Sequence, residues 1–273
     1  MKNIVLFLLF AVTISMTLGS CAQEEAQEEQ DWQELFNGRD LSNWDKYLGT
    51  SLGSEFDELA EAAVPEQVFS VAVEEGEPAI RISGEINASL ATQESFENYH
   101  LRMDFKWGET VYSMRNSGLL YHSFGDFGES LGTWMPNIEF QMWTQNLGDT
   151  YLMGNTSTET EVTREADEYI YAPGEDLLTF GEHDHGRLIR KNMDNEAPLG
   201  EWNTIELFTY GRTAVHVVNG MVVKVNQNTG TYENGMTEPL TSGKIQIQSE
   251  GGELFIRNVD IRSIDELPES ILP

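Results

Sequence analysis

An all-β antiparallel sandwich is the fold this sequence predicts. Short runs alternate polar and apolar residues with a period of two, and Gly, Asn and Asp punctuate them where a helical protein would carry amphipathic segments. In Tyr99-His-Leu-Arg-Met-Asp-Phe-Lys-Trp107 one face is Tyr99, Leu101, Met103, Phe105 and Trp107, and the other is His100, Arg102, Asp104 and Lys106. Strict alternation of this kind marks a strand with one side in the core. Asn219-Gly220, between the β-branched runs Thr213 to Asn219 and Met221 to Asn226, supplies the positive φ of a two-residue hairpin turn.

Taken in order, helical spacing surfaces only weakly, from Glu55 to Ala63, and 154–200 reads as one or two long excursions. Lys244 to Ser249 and Leu254 to Ile264 read as two strands separated by Gly251-Gly252. No repeat of about 20–50 residues is visible, which argues against a propeller or solenoid. The chain is 40% hydrophobic and 10% aromatic over 273 residues, enough for one core, and all-β domains often run to roughly 200–250 residues as a unit.

The charge balance narrows the partners. Against 46 Asp and Glu stand 16 Lys and Arg, a net charge of −30 with a pI near 4.3. Phosphate recognition needs clustered basic side chains, so a nucleic-acid partner is excluded and a neutral ligand fits best.

Lys2 precedes an apolar run, Ile4 to Val12, and Leu18-Gly19-Ser20-Cys21 resembles the bacterial lipobox. Residues 1–21 are therefore expected to be a lipoprotein signal with Cys21 lipidated, and the acidic stretch 22–31 a flexible tether. Residues 32–264 form the expected sandwich and 265–273 a C-terminal tail. The expected location is that of an exported lipoprotein facing the periplasm or cell surface, with the lipid its only membrane contact. One cysteine forbids an internal disulfide.

Met135-Pro-Asn-Ile-Glu-Phe-Gln-Met-Trp143 carries the strongest chemical signal. Ile138, Phe140 and Met142 share one face; Asn137, Glu139, Gln141 and Trp143 share the other. A carboxylate flanked by two amides and an indole suits a sugar, because amides bond hydroxyls and an aromatic ring stacks on a pyranose. The alternative is a solvated strand face. Asn116, Gly118, Leu120 and His122 share a face of the preceding strand, where Gly118 either admits a neighbour close to the backbone or relieves a bend. His122 reads as a structural histidine or a catalytic one. Glu182-His-Asp-His185 reads as a solvated loop, since no further ligand set with diagnostic spacing accompanies it. No Gly-x-Ser-x-Gly elbow, phosphate loop or His-Glu-x-x-His occurs.

Leu35-Phe-Asn-Gly-Arg-Asp-Leu-Ser-Asn-Trp44, Phe96 to Lys106, Asn116-Ser-Gly118, Asn137-Ile-Glu-Phe-Gln141, Gly200-Glu-Trp-Asn203, Val218-Asn-Gly220, and Ile247-Gln-Ser-Glu-Gly251 with Phe255-Ile-Arg-Asn258 follow one another along the chain. Their order and spacing resemble the bacterial 3-keto-disaccharide hydrolase family, also described as a 3-keto-glucoside 1,2-lyase and 3-keto-2-hydroxy-glucal hydratase domain, over about residues 32–264. The resemblance implies a concanavalin-like jelly-roll sandwich of two antiparallel sheets with a sugar cleft on the concave sheet. It also implies a catalytic role for Glu139, a basic residue at Lys106 and substrate contacts from Asn116, Ser117 and Gln141. Many relatives read Gln-Asp-His-Gly where this chain has Gln248-Ser249-Glu250-Gly251, which shifts any role of that histidine toward Glu250.

In a 3-keto sugar the ketone acidifies the C2 proton, so one base, one oxyanion stabiliser and one proton donor suffice to expel the C1 substituent. The expected roles are base for Glu139, enolate stabilisation for Lys106 or a divalent cation, and leaving-group protonation for Glu250 or His122. Asn116, Ser117, Asn137, Gln141, Trp143, Arg102 and Gln248 are expected to contact the sugar. No other cofactor is implied. Two other classes stay open: a lectin-like module that holds a glycan without cleaving it, and a conventional glycosidase on unoxidised glycans. The latter needs a second carboxylate, from Asp104 or Glu250, because the usual pair is missing from the Glu139 strand. Cys21→Ala is expected to move the protein from the membrane to the soluble fraction on cell fractionation; retention on the membrane would refute the anchor.

Overall fold

The computed structural model describes residues 32–272. The leader, Cys21 and the tether lie outside the described residues. No helix among the described residues is long and apolar enough to cross a membrane.

Two antiparallel sheets enclose the core and share one strand. The first runs, in spatial order, Phe69–Glu74, Glu77–Ile82, the C-terminal half of Ser242–Ser263, Tyr99–Asn116, Asn203–Tyr210, Thr213–Val218 and Met221–Glu233. The second runs Trp44–Leu48, Ala88–Thr92, the N-terminal half of Ser242–Ser263, Gly118–Ser123, Asn137–Gln141, Thr150–Met153 and Leu188–Ile189. This is the jelly-roll sandwich. Its period-two pattern acts as expected: Leu101, Met103 and Phe105 from the first sheet meet Leu119, Tyr121, Ile138 and Phe140 from the second, all fully buried. The hairpin at Asn219-Gly220 forms, with φ values of 48° and 79°.

Three readings change. The last two expected strands are a single one, Ser242–Ser263, which stays paired through irregular register at Glu250, Gly251 and Gly252. Residues 154–200 contain four strands, Thr156–Glu165, Glu168–Tyr171, Asp176–Phe180 and Leu188–Ile189, before an irregular segment up to 200. Thr156–Glu165 pairs with Glu168–Tyr171, Asp176–Phe180 and the far end of Met221–Glu233. Thr156, Thr158, Thr160 and Val162 turn inward there, and buried threonines hide the alternation from a hydrophobicity count. Finally, the C-terminal segment docks: Ile264, Leu267 and Ile271 cover Phe208, Val215, Val217 and Val225 on the outer face of the first sheet. Helix is confined to short pieces, Asp57–Ala62 and Pro65–Val68 among them.

One polar cluster sits between the sheets. His216 stacks on Phe140 at 4.2 Å, donates from Nδ1 to the Gly148 carbonyl at 3.1 Å and accepts at Nε2 from the Tyr121 hydroxyl at 3.1 Å. Asn226 donates to Tyr121 Oη at 3.1 Å and to Thr150 Oγ1 at 2.9 Å. Burial lowers the His216 pKa to about 3, so the ring is neutral, as this bonding requires. A fully satisfied interior network specifies one packing, and here it fixes the strand Asn137–Gln141 from behind.

The shared strand changes sheets where backbones touch. Gly251 N–H donates to the Gly84 carbonyl at 3.0 Å, and both glycines have positive φ, 97° and 85°. A Cβ on Gly84 would lie 2.4 Å from the Gly252 carbonyl atoms. Gly84→Ala is expected to destabilise the protein by about 2–4 kcal/mol, from left-handed strain plus the clash, read as a lower midpoint in urea unfolding. An unchanged midpoint would mean that the crossing tolerates a side chain.

Candidate functional site

The strand Asn137–Gln141 turns Ile138 and Phe140 into the core, so Asn137, Glu139 and Gln141 project from the opposite face of the second sheet. Antiparallel register sets Glu139 between Leu120 and Tyr151, Gln141 beside Gly118, and Asn137 beside Met153. Glu139, Gln141, Asn116, Glu250, Trp143 and Arg190 line a cavity of about 220 Å³, closed by Leu131, Tyr151, Met153 and Leu188.

Gly118 makes the floor possible. A Cβ there would lie 2.3 Å from Glu139 Oε1 and 2.7 Å from Gln248 Oε1. Only the missing side chain lets the carboxyl and the amide occupy that space. Of the two readings of Gly118, close approach is the one observed.

The floor is buried and short of partners. Glu139 is 2% exposed. Asn116 Oδ1, Asn137 Oδ1, Glu139 Oε1, Gln141 Oε1 and both amide atoms of Gln248 have no hydrogen-bond partner in the protein. Each buried unsatisfied polar atom costs about 1–3 kcal/mol, and such a concentration on one face marks a surface that completes its bonds with something else.

Electrostatics separate the two acids. Burial first, then the nearby charges of Glu250 and Asp149, pushes the Glu139 carboxyl well above the usual carboxylate range. Burial also raises Glu250, to about 7, against the lowering effect of its Asn116 hydrogen bond. The more deeply buried acid holds the proton, and Glu250 ionises near neutrality.

Positive charge comes from Arg190, which sequence reasoning missed. It follows the short strand Leu188–Ile189, which pairs with Thr150–Tyr151. Asp149 at 2.8 Å, Asn146 at 3.0 Å and Glu168 at 2.7 Å hold its guanidinium. The signal for Tyr151 and Met153 lay in the alternation Thr150-Tyr-Leu-Met153. For Leu131 and Arg190 no local pattern pointed to the cavity.

Several expected residues lie elsewhere. Lys106 is on the outer face of the first sheet, paired with Glu74 and Glu75 and 5.2 Å from the Trp202 ring centroid. Packed sheets are about 10 Å apart, so this ammonium is across the whole sandwich from Glu139 and stabilises no enolate there. Arg102 shares that outer face and pairs with Asp260 at 3.2 Å, away from the cavity. Asp104 is there too, bonded to Thr204 and Asn258. His122 has φ 52°, which breaks the alternation; its ring packs against Tyr99 and Tyr121, and burial lowers its pKa to about 4. It does not line the cavity and is no acid for it.

Ser117 serves the site through the backbone, its hydroxyl donating to the Gln248 carbonyl at 2.8 Å. Trp143 stands at the rim, 39% exposed.

The Glu182–His185 segment disperses. His185 Nδ1 donates to the Thr179 carbonyl at 2.8 Å, while His183 lies against Tyr232. Among the described residues no group of three or more His, Cys, Asp or Glu side chains comes together to hold a metal ion. The two acids lining the cavity share it with the amides of Asn116 and Gln141 and the guanidinium of Arg190.

Comparison with known proteins follows the same lines. A 17% identical protein from Parabacteroides distasonis ATCC 8503, assigned as a glycosyl hydrolase, superposes with a TM-score of 0.50 over 88% of this chain and 97% of its own. A protein with a galectin-like fold from Bacillus subtilis, 10% identical, gives 0.48 over 85% and 94%. Bacillus licheniformis β-glucanase, 13% identical, gives 0.44 over 85% and 97%. No curated protein sequence matches. The family model for the 3-keto-α-glucoside-1,2-lyase-like domain matches residues 31–262, and the chain therefore belongs to that family of carbohydrate-active enzymes.

Proposed function

We propose that the protein cleaves 3-keto-glucosides by 1,2-elimination followed by hydration, with Glu250 and Glu139 as its acid–base pair. The observation that carries this reading is the pair itself: two carboxyls of unequal acidity on one cavity floor, among amides with unpaired atoms.

Ionised Glu250 takes the C2 proton, and the C2–H electrons pass into the C3 carbonyl to give an enediolate. The developing oxyanion meets Arg190 and the side-chain NH2 of Gln141, donors on residues that line the cavity. Collapse of the enediolate breaks the C1–O bond and restores the ketone, while the Glu139 proton goes to the leaving oxygen. Water then adds at C1 of the 2-hydroxy-glucal as C2 is reprotonated, and net hydrolysis results. Relative to the sequence-based assignment the two acids exchange starting roles, because the proton resides on the more buried one. Asn116 orients Glu250, and Trp143 offers its ring to the pyranose.

The chain is further proposed to work at a membrane surface, held through Cys21. The presence of a second carboxyl beside Glu139 favours, as a competing reading, a conventional glycosidase on unoxidised sugar.

Glu250→Gln and Glu139→Gln are each expected to lower kcat on a 3-keto-glucoside by roughly 10²–10⁴-fold, with folding intact by circular dichroism. Release of 3-keto-glucose is the readout, and the unoxidised glucoside is the control. Full activity in either variant removes that residue from the chemistry. Cleavage of the control would favour the conventional glycosidase. In the wild type kcat/KM is expected to rise with pH through about 7, as Glu250 ionises, and to fall where Glu139 loses its proton.

Stability should follow the same groups with a definite sign. Glu250 binds its proton more tightly folded, at about 7, than unfolded, at 4.5. Its contribution is thus fully present below about pH 4.5 and is lost as pH rises to about 7. Glu250→Gln removes that loss, so the variant should gain roughly 1–3 kcal/mol over wild type at about pH 8 and little at about pH 4, measured by urea unfolding at both. Equal gains at both values would mean that the acid is not perturbed.

A further inference from the structure

The cavity is two-sided. Its floor is the polar set Glu139, Gln141, Asn116 and Glu250, whereas Leu131, Tyr151, Met153 and Leu188, with Trp143 beside them, form an apolar wall interrupted by Arg190. The wall reaches solvent. Leu131 is 57% exposed, Leu188 36% and Trp143 39%. Isolated exposed leucines need no explanation, but three large apolar side chains around one opening do.

Volume limits what fits. At about 220 Å³ the cavity falls below the roughly 300–1,000 Å³ that envelops a drug-sized ligand. One pyranose on the floor occupies most of it, and whatever is attached at C1 must leave through the apolar mouth.

The chain also holds Leu131 there under strain. Leu131 has φ 52° and is followed by Gly132 at φ 75°, and left-handed backbone is unusual for a bulky residue. The flanking loop is pinned, with Ser130 and Trp134 bridged and the Trp134 indole N–H donating to the Ala88 carbonyl at 3.3 Å. A leucine presented to solvent in this conformation gains nothing from burial in the free protein. Strain of this kind at a site is explained when the residue meets a ligand.

We propose that the aglycone side of the site is built for an apolar group, so that the preferred substrates are alkyl or aryl 3-keto-glucosides, with Leu131 and Leu188 as specificity residues. A second sugar would set hydroxyls against leucine methyls and give up their hydration without replacement bonds. The inference rests on the proposed reaction for its glycone half only.

Methyl and hexyl 3-keto-glucosides test it, because their leaving groups have similar basicity and differ in apolar surface. Binding is measured by calorimetry on the Glu250→Gln variant, and turnover on wild type. The hexyl glycoside is expected to bind at least tenfold more tightly than the methyl one, and a 3-keto-disaccharide no more tightly than methyl. Leu131→Asn, a residue at ease with positive φ, and Leu188→Ser should each reduce the hexyl-to-methyl ratio at least threefold. Equal affinities, or a ratio that neither substitution changes, would overturn the proposal. Hexyl preference in binding without turnover by wild type would instead overturn the elimination chemistry and leave the apolar aglycone site standing.

Discussion

The structure depends on burying a carboxyl that receives no hydrogen bond at Oε1 from its own protein. Glu139 sits on the central floor of a sheet whose other face is buried in the core, and desolvation of an unpaired ionised acid is too costly for it to remain charged. The protein meets this by keeping the group protonated and the strand immobile. Phe140 stacks on His216, which is tied to Tyr121 and Gly148, so the strand cannot rotate its acid toward water. Gly118 clears the space in front, and the irregular crossing at Gly251 delivers Glu250 to the same floor. Rigidity behind the strand and vacancy before it are two parts of one constraint.

The outer faces of the two sheets show what buried polarity means in each place. On the first sheet His100 meets Glu206, Arg102 meets Asp260, Lys106 meets Glu74 and Glu75, and Arg81 meets Glu253. Trp202 lies there between Arg257 and Lys106. Charges neutralised by one another serve architecture and offer little to a ligand. On the second sheet the amides of Asn116, Asn137, Gln141 and Gln248 each keep an unpaired atom. Residue type alone would rank Lys106 above Gln248 as a functional group, and pairing reverses that order.

Much of this was legible in sequence because a strand's two faces are written at a period of two. The faces of Tyr99–Trp107 and of Asn137–Gln141, and the turn at Asn219-Gly220, followed from alternation and from φ alone. Alternation says which residues share a face, but not which sheet a strand joins. Lys106 and Glu139 therefore looked like partners while lying on opposite sides of the sandwich. His122 escaped because one left-handed residue ends the parity on which its assignment rested. Arg190 and Leu131 reach the cavity from segments whose placement is set by long-range contacts, Leu188 with Tyr151 and Trp134 with Ala88, and no local pattern encodes that. Threonine-based alternation in Thr156–Glu165 hid a sheet for a different reason: its buried methyl groups count as polar.

The distribution of charge around the cavity also constrains the chemistry. An enediolate forming beside two carboxylates in a chain of net charge −30 would meet repulsion from the one that is not its base, in a site too dry to screen it. If that acid is neutral at the outset, the repulsion is removed and a proton is already in place for the departing oxygen. Arg190 contributes opposite charge, but Asp149 and Glu168 hold its guanidinium, so its field is partly spent before substrate arrives. The amides of Asn116, Asn137 and Gln141 keep unpaired carbonyl oxygens in the free protein, ready to accept from sugar hydroxyls, and Gln248 keeps an unpaired amide nitrogen as well. An elimination that creates negative charge inside an acidic protein is thus made feasible less by a strong cation than by a proton stored on Glu139 and dipoles fixed before the reaction begins.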